Sequence, residues 1–160
     1  MRIFTGSYQN CKIGNLLSIS GDKGKSIEFT GNTYTKLAPK KEFWKVWHDN
    51  IGQVSEEENN RFYMQAFYQQ VLANLQPEEV MKELETFGNN VILLCYEDNT
   101  QFCHRQLVAT WLERNLHMEV PEIAIDKQAN ITILERNQKY VIAFQKVMDE
   151  IERKENELER

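Results

Sequence analysis

Two short stretches of this chain hold residue types that do chemistry. They are Cys95-Tyr96-Glu97 and, eight positions after the first cysteine, Cys103-His104-Arg105. A thiol at the start of a helix sits beside free backbone N–H groups and the positive end of the helix dipole, which favour the reactive thiolate. An imidazole titrates near neutral pH and can carry a proton in either direction. A guanidinium offers a planar fork that matches a carboxylate or phosphate, and a helix N-terminus is itself an anion site. Cys103, His104 and Glu97 are therefore the candidate catalytic groups, Arg105 the candidate anion-binding group, and Cys95 a second or structural cysteine.

Three function classes follow from this cluster. The first is an enzyme acting on a phosphorylated or nucleotide-like substrate, with the anion on Arg105 and the helix end. The second is a zinc site made by Cys95, Cys103 and His104. The usual C-x2–4-C spacing of such sites is absent, and a fourth ligand is found only by elimination, in His48 or Cys11. The third is a binding or scaffolding protein in which the cluster is structural. Cys95 then counts as a small buried apolar residue. Cys103 packs on the face it shares with Leu107, His104 and Arg105 serve as cap and surface groups, and Glu97 favours the helix dipole. A phosphatase-like or rhodanese-like loop is excluded, because Arg105 lies ten residues after Cys95 and two after Cys103, not about six.

These residues need elements to hold them. Val91-Ile92-Leu93-Leu94-Cys95 is apolar throughout, the pattern of a strand covered on both faces. Leu107, Val108, Trp111 and Leu112 form a helical stripe from about residue 102, with Asp98, Asn99 and Thr100 as cap candidates. A strand from Met118 to Ile123 completes a βαβ unit, so a parallel arrangement is expected and the cluster falls at the carboxyl end of its first strand.

Upstream, residues 2–4 and 16–20 read as strands, and 21–41 as a long loop punctuated by Gly21, Gly24, Gly31 and Pro39. A helical pattern begins near Glu42. Ser55 followed by three glutamates marks a helix start, and Tyr63, Phe67, Val71 and Leu75 mark its buried face. Pro77 starts a further helix that Gly88 ends. The last thirty residues read as one long helix with Val141, Phe144, Met148, Ile151 and Leu158 on one seam. That seam packs on its own domain or supports a homo-oligomer. The expectation is a single α/β domain over 1–160, a small parallel or mixed sheet flanked by helices with a long C-terminal helix.

Composition narrows the partners. The net charge is −5 and the longest basic run is Lys40-Lys41, so no extended nucleic-acid surface is expected. A small anionic molecule or nucleotide is the candidate ligand; no cofactor is specified. No apolar run has the length of a membrane span or a signal peptide. A cytoplasmic location is expected, where thiols stay reduced. Three cysteines, an odd number, argue against a disulfide framework.

The stretch from Leu93 through Leu107 resembles the C-x-E … C-H-R signature of the domain-of-unknown-function family 488. Ser7-Tyr8 resembles the family's Ser-Tyr turn after the first strand and joins Arg105 among the anion-binding candidates. Leu37-Ala38-Pro39 is similar to its Leu-Ala-Pro segment, and the run from Phe67 to Val80 to its long helix and the Pro-Glu-Glu start of the next. The resemblance covers residues 1–123, leaving 124–160 as a helical extension. It implies an α/β fold and a site at these residues, and lends no settled activity. Many members carry an Arg after the second strand, where this chain reads Ser20-Gly21-Asp22-Lys23; if that Arg binds substrate, this chain has either lost it or uses Lys23 or Lys25 instead.

Overall fold

A computed structural model describes residues 1–159. The strands are β1 (Arg2–Ser7), β2 (Leu16–Ser18), β3 (Asn32–Thr33), β4 (Asn90–Cys95), β5 (Glu122–Ile125) and β6 (Ile131–Leu134). They form one sheet in the order β3-β2-β4-β1-β5-β6, parallel except for the β5–β6 pair. The helices are α1 (Lys41–Asp49), α2 (Glu56–Gln70), α3 (Pro77–Glu85), α4 (His104–Leu116) and α5 (Gln138–Leu158).

Strand side chains alternate between faces, and the two faces are covered differently. Ile3, Leu17, Val91 and Leu93 join the main core with residues from all five helices. Phe4, Ile92, Leu94 and Ile123 form a second, smaller cluster with Tyr8, Cys11 and Phe29, which come from loops. The apolar run Val91–Cys95 of β4 is thus covered on both faces, by helices on one and mainly by loop residues on the other.

Helix boundaries follow local chemistry. Ser55 caps α2 by accepting from the Glu58 amide at 3.1 Å, and Pro77 occupies the first turn of α3. Helix α4 is buried continuously from His104 to Leu112, as a helix between a sheet and two others must be. Its neighbours include α3 and α5.

Three sequence expectations change. The strand expected at 118–123 lies at 122–125, and the 21–41 loop contributes the short β3 and two 3-10 turns. The last thirty residues are not one helix. The β-branched run Ile131-Thr132-Ile133 pairs antiparallel with β5, and the helix starts only after Asn137, whose side chain accepts from the Lys139 amide at 3.1 Å. The buried seam of α5 is Tyr140, Phe144, Val147, Met148 and Ile151, facing α2 and α4; Leu158 is outside it. No helix among the described residues is long and apolar enough to cross a membrane.

Candidate functional site

Strands β1 and β4 lie side by side with Ser7 in register with Cys95. From β1 the chain crosses to β2 on one side, and from β4 it crosses to β5 on the other. Such a reversal opens a crevice at the carboxyl ends of the strands, where ligands of open α/β sheets bind. Cys95 ends β4, and Cys103 is the N-cap residue of α4. The 96–102 turn folds the two cysteines together, sulfur against sulfur as a disulfide pair, while Cys11 stays free and buried. Three unpaired thiols were the sequence expectation; spacing alone carries no sign of a pairing that the return of this turn decides.

His104 lies under the sheet ends. Its Nε2 donates to the Ile19 carbonyl at 2.7 Å, because a carbonyl can only accept. The proton is thereby assigned to Nε2, and Nδ1 turns its lone pair toward Cys95 Sγ, 3.7 Å away. Burial pushes the His104 pKa down to about 4, outweighing that hydrogen bond, and the Arg105 charge acts in the same direction as burial.

Arg105 exposes none of its surface. Its Nε and Nη2 donate to the two carboxylate oxygens of Glu122 at 3.0 and 2.6 Å, and Nη1 reaches Cys103 Sγ at 3.4 Å and Cys95 Sγ at 3.7 Å. In the structure the anion on this fork is the chain's own Glu122. Helix α4 turns its first residues toward the sheet, so this guanidinium meets β5 before it could meet solvent. Glu122 also accepts from Thr5 Oγ1 at 2.6 Å, and Arg136 donates to Thr5 at 2.8 Å and to Gln106 Oε1 at 2.5 Å.

Ser7 and Tyr8 are buried as well. Ser7 Oγ accepts from the Asn10 amide at 3.1 Å, and the Tyr8 hydroxyl lies 2.6 Å from both Ser18 and Ser20 Oγ. Both are engaged by the protein's own groups around the sheet ends.

Beside this cluster lies a cavity of about 470 Å³, lined by Asp22, Lys41, Trp44, Cys95, Tyr96, Glu97 and His104 among others. Of the catalytic candidates it reaches His104 and Glu97 but not Cys103. Among the described residues no other side chain hydrogen-bonds the Glu97 carboxylate, and burial raises its pKa above the ordinary glutamate range, against its own backbone N–H and the Arg105 charge. One wall is a turn organised by Asp22, which accepts from the Gly24 and Ser26 amides at 2.8 and 3.2 Å and from the Tyr96 hydroxyl at 2.5 Å. Gly24 adopts φ +77°, and a Cβ there would strike Phe29 at 2.5 Å. The opposite wall is α1, with Trp44 stacked on His48 at 4.9 Å.

Sequence reasoning did not find Asp22, Lys41, Trp44 or Tyr96 as cavity residues, nor Glu122 and Ile19 as partners of the cluster. Exposed Trp44, in a helix whose buried residue is Phe43, was the one available signal. Lys23 and Lys25 are exposed and do not line the cavity; Lys41 is its lysine.

No curated protein and no solved structure matches the chain significantly. The model of the family DUF488-N3a, described as the active DUF488-N3 subclade, matches residues 12–116. The matched segment runs from the β1–β2 loop to the end of α4 and includes Cys95, Glu97, Cys103, His104 and Arg105, but not Ser7 and Tyr8. It spans more than half of the chain. The chain belongs to the DUF488-N3a family.

Proposed function

We propose that the chain is an enzyme that takes a nucleotide-like molecule into the cavity at the end of β4 and moves a proton on it through Glu97. The observation that carries this reading is the cavity's lining. Trp44 and Tyr96 offer aromatic faces, Lys41 a point charge for a phosphate, and Glu97 an unengaged carboxyl, all around about 470 Å³. That volume falls within the roughly 300–1,000 Å³ of small-molecule sites. Aromatic faces hold bases of any sequence by stacking, and a lysine ammonium binds phosphate as a point charge. A carboxyl with no side-chain partner is free to give or accept a proton when a substrate group comes within reach.

His104 supports the site rather than acting in it. Its Nε2–H is held by the Ile19 carbonyl, and its Nδ1 faces a sulfur. Cys103 does not line the cavity, and Cys95, which does, is paired with it, so no thiol is asked to act as a nucleophile in this reading.

The test is incubation with a panel of nucleosides and nucleoside mono- and diphosphates. Binding is followed by titration calorimetry and conversion by chromatography with mass detection. Binding of at least one phosphorylated member is expected, with Glu97→Gln keeping that affinity and losing conversion. A panel in which nothing binds, or a Glu97→Gln protein that converts substrate at the wild-type rate, sinks the reading.

A further inference from the structure

We infer that the reduced chain holds one zinc-class divalent cation between Cys95 Sγ, Cys103 Sγ and His104 Nδ1, with a fourth position open to the cavity. Among the described residues these three side chains bring their donor atoms within 4.8 Å of one another. Three observations carry the assignment independently.

The imidazole is oriented as a ligand. With Nε2–H bonded to the Ile19 carbonyl, Nδ1 presents its lone pair to the sulfurs. Metal-bound histidines regularly donate their other N–H to a carbonyl or carboxylate in this way, which sets tautomer and ring direction. Tetrahedral zinc with bonds of about 2.1 Å to nitrogen and about 2.3 Å to sulfur places those two atoms roughly 3.6 Å apart. The Nδ1–Sγ separation to Cys95 is 3.7 Å.

The backbones stand apart. The Cα atoms of Cys95 and Cys103 are 7.6 Å from each other, beyond the roughly 4.4–6.8 Å usual across a covalent bridge. Two thiolates sharing an ion between them suit that distance, each sulfur turning slightly away from the other.

The charges balance. Two thiolates and a divalent cation sum to zero, and the adjacent Arg105–Glu122 pair is neutral too, so taking up the cation adds no net charge to the buried centre. Arg105 Nη1 lies 3.4 and 3.7 Å from the two sulfurs, where its N–H groups stabilise thiolates.

Cys95 and His104 line the cavity and Cys103 does not, so the open side of the trio faces the cavity. Three protein ligands plus an open position is the arrangement of catalytic zinc, which activates a water or polarises a substrate oxygen. The inference rests on the proposed cavity reading only for what fills that fourth position. The metal enters the dithiol form. An external thiol reductant supplies two electrons to the Cys95–Cys103 pair and is itself oxidised to a disulfide. The cation then displaces the two thiol protons to solvent.

The deciding experiment is titration of the reduced full chain with cobalt(II), followed by zinc(II). One equivalent of cobalt is expected to develop intense sulfur-to-metal charge-transfer and tetrahedral ligand-field absorption, and one equivalent of zinc should abolish both. Cys103→Ser and His104→Ala each weaken zinc binding by more than about a hundredfold, beyond the ~10–100-fold that outer partners command. Wild-type protein needs no variant to fold, so its own spectrum is decisive. Reduced, folded protein that shows only weak octahedral cobalt absorption, or that takes up no metal, overturns the site. Glu97→Gln should bind cobalt as wild type does, so loss of conversion in that variant leaves the metal result standing, and the reverse also holds.

Discussion

Arg105 and Glu122 face each other across the helix–sheet interface with neither side chain exposed, joined by two parallel hydrogen bonds of 3.0 and 2.6 Å. The same guanidinium touches both site sulfurs. The pair therefore links the first turn of α4 to β5 and sets where Cys103 and His104 stand. Its energetics are asymmetric. A buried ion pair gains little over apolar residues of the same shape, but leaving one charge without its partner is costly.

Arg105→Ala and Glu122→Gln should each lose about 3–5 kcal/mol of stability, read from urea denaturation midpoints. Replacing both at once, Arg105→Met with Glu122→Leu, should recover most of that loss, because neither member of the pair is left without its partner. If the double variant is as unstable as the sum of the singles, the pair is not acting as a coupled unit.

Phe144 is fully buried on α5, whereas Leu158 is 87% exposed on the same helix. Phe144→Ala should cost about 3–5 kcal/mol through the cavity it leaves between α2, α4 and α5. Leu158→Ala should stay within ~0.5 kcal/mol. Thermal melts of the two variants decide it; comparable losses would mean that the distal end of the helix is covered in solution.

Trp44 is 41% exposed at the cavity. Trp44→Ala should leave stability within ~0.5 kcal/mol of wild type while weakening an aromatic ligand by the ~1–3 kcal/mol of a stacked base. Calorimetric titration alongside a melt separates the two. A variant that melts early without losing affinity contradicts the assignment of this ring to ligand contact.

Asp22 organises the cavity wall, and its pKa is lowered to about 2: slight burial acts to raise it, but donors from Tyr96, Gly24, Ser26 and Ser20 outweigh that. The folded value lies below the usual ~3.9 of an unfolded aspartate. The carboxylate's contribution is thus fully present above about pH 4 and lost as pH falls toward 2. Because Asp22 is solvent-exposed, the effect is local. The Gly24 and Ser26 amide resonances should shift with a midpoint near pH 2; a midpoint at 4 would show that these hydrogen bonds do not hold in solution.

Much of this protein is legible along the chain. The apolar run Val91–Cys95, the Ser55 cap, the Pro77 helix start and the α2 stripe through Tyr63 and Phe67 are local signals. Backbone hydrogen bonding and side-chain periodicity act within a few residues, so α/β class and the clustering of Cys95, Cys103 and His104 at a strand–helix turn could be read directly. What neighbours in space impose could not. Strand β6 escaped because Ile131-Thr132-Ile133 becomes a strand only by pairing with β5. Arg105 has the same sequence context whether it points to solvent or to the sheet, and its direction is decided by Glu122, seventeen residues away on another element. The tautomer of His104 depends on the Ile19 carbonyl, and the cavity depends on Asp22, Trp44 and Tyr96 arriving from three separate segments. Residue types and local order were the sequence's to determine; partners, burial and the direction of each side chain were decided by tertiary structure, because long-range packing chooses among orientations that local chemistry leaves equal.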